Sequence, residues 1–186
     1  LVFAEALADE KPSRSTRPAG ASRVTTAPAA PRLAAAIPIW GPSLSGKTID
    51  FPAGYRGKLV MVTFWATWCP VCKRELPNWR DAWAKYHDHG FEIIGVATDA
   101  NRHRGPEIVE PFLKANGIAW EVIYDGAPDL AIKYGADSLP MSFLVDGDTG
   151  AVLAQGGRLR STNLMKTLDK YLAQKQGQAT SQPAKH

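Results

Sequence analysis

An α/β sandwich with a mixed central sheet is the fold class that this sequence predicts, on three observations. Two near-continuous apolar runs, 59–66 and 91–97, have the pattern of strands buried on both faces. Between and after them apolar residues recur at three- and four-residue steps, the period of amphipathic helices. The only two cysteines, Cys69 and Cys72, stand where the first of these strands passes into the first helix. Strands that alternate with helices pack as layers, the helices covering the sheet.

The 186 residues suffice for one domain with a sizeable core plus tails. Leu1-Val2-Phe3-Ala4 followed by Ala6-Leu7-Ala8 reads as the end of a secretory signal cleaved after Ala8, the alternative being a stub below a membrane anchor. Residues 9–36, rich in Pro, Ala, Ser, Thr and Arg without apolar periodicity, read as a disordered tether. The first unit, 1–36, is therefore a signal remnant plus tether, and order is expected from Ile37-Pro38-Ile39-Trp40 onward.

Residues 43–51 read as a hairpin turning around Ser45-Gly46-Lys47, and 59–66 as the central strand. From Cys72 the period is helical: Leu76, Trp79, Trp83 and Tyr86 share one side, and Gly90 stops the helix. Pro70 suits the first helical turn, where its missing N–H costs nothing. Pro77 removes the N–H that would reach the Lys73 carbonyl and predicts a kink. A second core strand at 91–97 is followed by a helix over 108–115 that ends at Asn116-Gly117. Then come a strand over 120–124 and a short helix over 130–134 closed by Gly135. A hairpin joins 141–145 to 151–154 through Asp146-Gly147-Asp148-Thr149-Gly150. Leu164, Leu168 and Leu172 mark a final amphipathic helix that frays from Gln174. The domain is thus expected over 37–175, with a disordered tail over 176–186.

Composition narrows the function classes. Hydrophobic residues at 45% and charged residues at 22% are ordinary for a soluble globular protein. No apolar run approaches the roughly 20 residues that span a bilayer. The net charge of +4 includes no dense basic cluster, which argues against nucleic-acid binding.

Cys69-Pro70-Val71-Cys72 is the stretch that carries chemistry. A cysteine at a strand end and helix start meets unpaired backbone N–H groups and the positive end of the macrodipole, which favour its thiolate. Zinc would need about four ligands, and no second cysteine pair or His-x₃₋₅-His follows at finger spacing. A purely stabilising bridge across so short a loop would remove little unfolded-state entropy. Reversible thiol–disulfide exchange is the reading that remains. Gly41-Pro42-Ser43-Leu44-Ser45-Gly46-Lys47-Thr48 matches the P-loop letters, but Ile49-Asp50-Phe51-Pro52 does not open the helix that phosphate binding requires. His87 and His89, two apart, do not share a helix face and read as solvated polar residues, as does Arg102-His103-Arg104, which could at most recruit an acidic partner.

Phe64-Trp65-Ala66-Thr67-Trp68-Cys69-Pro70-Val71-Cys72, then Lys73-Arg74-Glu75-Leu76-Pro77, and Leu139-Pro140 before Met141-Ser142-Phe143-Leu144-Val145-Asp146 resemble thioredoxin-fold proteins. More narrowly they resemble the extracytoplasmic TlpA/ResA/DsbE-type thiol-disulfide oxidoreductases, over about residues 38–172. The resemblance implies a three-layer thioredoxin-like sandwich with an N-terminal hairpin and a central helix-containing insert near 99–120. It implies that Cys69 attacks a substrate disulfide, that Cys72 resolves the mixed disulfide, and that Glu75, one turn beyond Cys72, handles its proton. Pro140 matches the family's cis-proline, which would present the Leu139 backbone to an extended peptide. Trp68, Pro70 and Val71 border the pair and are expected on the docking surface, whereas Trp65 is expected in the core. Cytoplasmic thioredoxins carry a buried Asp six positions before the first cysteine, and this chain has Thr63 there.

The resemblance further implies no metal and no cofactor beyond the redox-active Cys69–Cys72 disulfide. The partners it implies are protein disulfides such as that of apocytochrome c, in cytochrome c biogenesis, and a membrane thiol-electron donor of the DsbD/CcdA type. The place it implies is periplasmic or otherwise extracytoplasmic, with room for a membrane tether upstream of residue 1. Net disulfide oxidation or isomerisation is an alternative, because Pro70-Val71 does not set the direction. A Sco-like copper chaperone on the same fold would use Cys-x₃-Cys with a distant His, not the two-residue spacing found here. A peroxidase of this fold would surround its cysteine with Pro-x₃-Thr-x₂-Cys, which Cys69 lacks. A non-catalytic binding module would work equally well without Cys69.

Overall fold

In the computed structural model, which describes residues 34–127 and 129–181, the chain first folds back on itself as a hairpin. Ile39–Pro42 (β1) and Thr48–Phe51 (β2) pair antiparallel, with Ile39 opposite Phe51 and Pro42 opposite Thr48. The expectations for residues 1–33 and 182–186 lie outside the described residues. A cis Phe51–Pro52 peptide, not anticipated from sequence, leads out of the hairpin. Leu59–Trp65 (β3) is buried at every residue, as its lack of polar alternation requires. It passes into the helix Pro70–Tyr86 (α1), and Gly90, in the left-handed region at φ 87°, ends the following 3-10 turn.

Phe91–Ala97 (β4) lies parallel to β3 in register from Leu59↔Phe91 to Trp65↔Ala97. The expected insert follows as a 3-10 turn, Asp99–Arg102, and a helix, Pro106–Ala115 (α2). Glu121–Tyr124 (β5) adds parallel to β4, and Asp129–Lys133 (α3) leads back. Met141–Asp146 (β6) pairs antiparallel with β3, and Val152–Gln155 (β7) antiparallel with β6. The five-stranded order is β5-β4-β3-β6-β7, and Thr162–Ser181 (α4) closes the chain.

Side-chain alternation along β3 divides the core in two. Met61 and Trp65 face Leu76 and Trp79 of α1 and Leu164, Leu168 and Leu172 of α4. Val60, Val62 and Phe64 face the hairpin residues Ile49 and Phe51, together with Ala131 and Tyr134 at α3. Each large apolar side chain fully buried here contributes about 1.5–3 kcal/mol. Gly95 of β4 makes room at the centre: a Cβ there would stand 3.0 Å from Trp65 Nε1 and 3.4 Å from Trp120 Nε1.

Both ends of the expected domain extend further than predicted. Ala35 bridges to Ala151, and the Val152 N–H donates to the Ala34 carbonyl at 3.1 Å, so pairing starts within the segment read as tether. The cause is the open edge of the β6–β7 hairpin, which offers ladder groups to any adjacent chain. The tail expected to be disordered from 176 continues as α4 to Ser181. Lys175 anchors that turn on Asp146 and Asp148, at 3.0 and 2.6 Å, and Ala and Gln are good helix formers. Among the described residues no helix is long and apolar enough to cross a membrane.

Candidate active site

Cys69 is the N-cap of α1 and Pro70 opens its first turn. The Cys72 N–H donates to Cys69 Sγ at 3.1 Å, and the two sulfurs form a disulfide. One of the orphan N–H groups of the helix start is therefore aimed at the sulfur that would carry thiolate charge. The two cysteines differ in access in the expected sense, but the difference is small: Cys69 is 4% exposed and Cys72 is fully enclosed. The accessible part of Cys69 opens into a surface cleft of about 340 Å³ that Trp68, Pro70, Val71, Asn101 and Leu139 also line. Trp65, expected in the core, is 1% exposed.

The loop before β6 forms another wall of this cleft. Its Leu139–Pro140 peptide is cis, Leu139 is half-buried on the cleft, and Pro140 is buried behind it. The Arg160 guanidinium donates to the Pro140 carbonyl and ties the loop to the start of α4. Between β3 and β6, Thr63 Oγ1 and Ser142 Oγ lie 2.8 Å apart, both buried. A neutral hydroxyl pair thus occupies the position read from the sequence as lacking the thioredoxin carboxylate.

Glu75 is buried on α1, on the same side as Cys72, and forms no ion pair among the described residues. Its Oε2 accepts from the Ser161 backbone N–H at 2.9 Å and from Asn78 Nδ2 at 3.1 Å, and its Oε1 accepts from Ser161 Oγ at 3.1 Å. Ser161 is held at φ 49°, a left-handed conformation uncommon for a side-chain-bearing residue, which aims its N–H at the carboxylate. Sequence periodicity placed Glu75 on the cysteine face and could not show its partner.

Asp99 is the site residue that sequence reasoning missed. It follows β4, is fully buried, and accepts from Thr67, two residues before Cys69. The available signal was a lone carboxylate at the carboxyl end of a central parallel strand, where open α/β sheets build their sites. Three residues on, the Arg102 guanidinium lies 3.9 Å from the centre of the Trp68 ring.

Two other expectations also resolve. The P-loop-like octapeptide forms the end of β1, the hairpin turn and the start of β2, with Ser43 and Ser45 each donating to Glu121 at 2.6 Å. No phosphate-cradling helix follows it. His87 is not simply solvated: it stacks on Trp83 at 4.2 Å, with Nδ1 3.4 Å from Glu92 Oε2. Among the described residues no three His, Cys, Asp or Glu side chains group as a metal-ligand set.

Residues 29–154 match the AhpC/TSA family. The thiol-disulfide oxidoreductase ResA of Bacillus thuringiensis subsp. konkukian is 32% identical over 129 residues, 69% of each chain. The sporulation thiol-disulfide oxidoreductase A of Bacillus subtilis is 28% identical over 104 residues, 56% of this chain and 61% of the relative. The crystal structure of the thioredoxin domain of a Bacteroides vulgatus thiol-disulfide oxidoreductase superposes with a TM-score of 0.65 at 28% identity, covering 74% of this chain and 95% of that domain.

Proposed function

The chain belongs to the AhpC/TSA family, among ResA-type thiol-disulfide oxidoreductases of thioredoxin-like fold, and on that premise we propose that it reduces disulfides of exported proteins outside the cytoplasm. Apocytochrome c is the substrate class the reading favours. The observation that carries it is the Cys69–Cys72 disulfide at the start of α1, one sulfur open to a cleft and the other enclosed.

In the reduced protein the Cys69 thiolate attacks one sulfur of the substrate disulfide, forming a mixed disulfide and expelling the other substrate thiolate. Cys72 then attacks Cys69 Sγ. The Cys69–Cys72 bond forms, the second substrate thiol leaves, and two electrons have passed to the substrate. Glu75 supports this second step by taking up or relaying the Cys72 proton. An extended peptide docks along Leu139, presented by the cis Pro140, and over Trp68, Pro70 and Val71. A membrane thiol-electron donor of the DsbD/CcdA type returns the pair to the dithiol, and a tether preceding residue 1 would keep the two close.

The test is the reduction potential of the Cys69/Cys72 couple, equilibrated against defined thiol buffers. A value below roughly −220 mV supports a dedicated reductant, and a value near or above about −150 mV makes the protein an oxidant and removes the proposed direction.

A further inference from the structure

Trp68 immediately precedes the cysteine proposed to attack, and the guanidinium of Arg102 lies over its ring. Arg102 lies 3.9 Å from the ring centre, and among the described residues no carboxylate or carbonyl accepts from its side chain. Stacking uses the flat face of the guanidinium and leaves its in-plane N–H donors free. Arg102 is exposed at the end of the insert's 3-10 turn, and Asn101 beside it lines the cysteine cleft.

This placement is built in rather than a chance surface conformation. The Asn101 N–H donates to Thr98 at 3.2 Å, and the His103 N–H to Ala100 at 2.9 Å. His103 takes the left-handed φ of 54°, which turns the chain sharply after Arg102. The Arg104 carbonyl accepts from the Tyr124 hydroxyl at 2.6 Å and pins the far side of the turn to β5. Asp99 serves both partners of the stack: its side chain holds Thr67, next to Trp68, and its backbone begins the turn that carries Arg102.

We propose that Arg102, fixed over Trp68, is a specificity residue that selects disulfides flanked by a carboxylate. A side chain already restrained by stacking loses little rotamer freedom on pairing, and its free donors match a carboxylate bidentately. Lys73, in the first turn of α1, adds a second exposed cation with no ion pair among the described residues. Asp137 is the one carboxylate among the residues lining the cleft, whereas Arg102 stands beside the cleft, over its lining residue Trp68 and next to its lining residue Asn101. A peptide with an acidic residue within one or two positions of its attacked cysteine would bind with that residue toward Arg102. The proposal rests on the dithiol-exchange reading above, and defines which substrates that exchange takes.

The test uses the reduced full chain in single-turnover exchange with three synthetic peptides that share one intramolecular disulfide and carry Glu, Gln or Lys beside it. At low ionic strength the Glu peptide is expected to react about tenfold faster than the Lys peptide, and high salt should narrow the ratio. Arg102→Ala should bring the ratio close to one, Arg102→Lys should keep part of it, and Arg102→Glu should invert it. An inversion cannot arise from a merely structural role. A wild-type ratio near one, or a preference that Arg102→Ala leaves intact, overturns the proposal while exchange with the Gln peptide still upholds the dithiol reading. Failure to reduce any of the three peptides removes both.

Discussion

Asp99 closes on Thr67 twice: its Oδ1 accepts from the Thr67 hydroxyl at 2.5 Å, and both its oxygens lie within 3.2 Å of the Thr67 backbone nitrogen. The contact ties the end of β4 to the turn between β3 and α1, so the backbone that presents Cys69 is braced by the neighbouring strand. Asp99→Ala would leave two donors without an acceptor, at a cost of about 1–3 kcal/mol. Its denaturation midpoint should fall accordingly, and disulfide exchange should slow as the Trp68-Cys69 turn loosens. Asp99→Asn, which keeps one acceptor, should fall between. A midpoint equal to wild type for Asp99→Ala would show that the brace contributes nothing.

Cys69→Ser is expected to lose all turnover, because it removes the sulfur proposed to attack the substrate disulfide. Cys72→Ser should instead accumulate mixed disulfides, visible as higher-mass species that collapse on reduction. Trapping through Cys72 in a Cys69→Ser background, with none in Cys72→Ser, would reverse the assignment of the two roles.

Glu75 joins a stability role to the proposed proton role, and two variants separate them. Glu75→Ala removes the acceptor for Ser161 and Asn78, and is expected to cost about 1–3 kcal/mol. Glu75→Gln keeps an acceptor for the Ser161 N–H and should fold with a smaller loss. It should nevertheless shift the pH at which the Cys72 thiol becomes reactive toward alkylation in the reduced protein. An unmoved alkylation profile in Glu75→Gln would reduce Glu75 to a brace for the start of α4.

At the opposite end of the sheet, the side-chain hydrogen bond from Lys175 holds the Asp148 carboxyl below its ordinary value of 3.8, helped by the Gly57 N–H. A depressed carboxyl contributes stability that is complete above about 3.8 and is lost as the pH falls through the lower folded value. Asp148 is largely open to solvent, so the contribution stays below about 1 kcal/mol. Lys175→Met should therefore melt earlier near neutral pH and lose less on further acidification than wild type. Equal acid sensitivity of the two would count against the clamp.

The elements legible from the sequence were those whose environment writes a continuous local pattern. β4 has the predicted ends and β3 falls one residue short of its predicted end, because burial on both faces makes each a near-continuous apolar run in which Thr63 and Glu92 are the only polar side chains. Leu164, Leu168 and Leu172 revealed α4 through their spacing, but that leucine spacing stops at Leu172, and the predicted end fell short of Ser181. Ala34 and Ala35 were indistinguishable from tether because their pairing depends on a sheet edge formed far along the chain.

The sequence by itself determined the layer architecture and the dithiol: hydrophobic period, turn residues and a Cys-x-x-Cys at a strand-to-helix junction are short-range signals read within a few residues. Only the tertiary structure decided what surrounds that dithiol. The Thr67–Asp99 brace joins residues 32 apart and the Glu75–Ser161 contact residues 86 apart, while Arg102 reaches Trp68 from the insert. Such pairs leave no period in the chain, because each depends on strand order and on the turn that aims one group at the other.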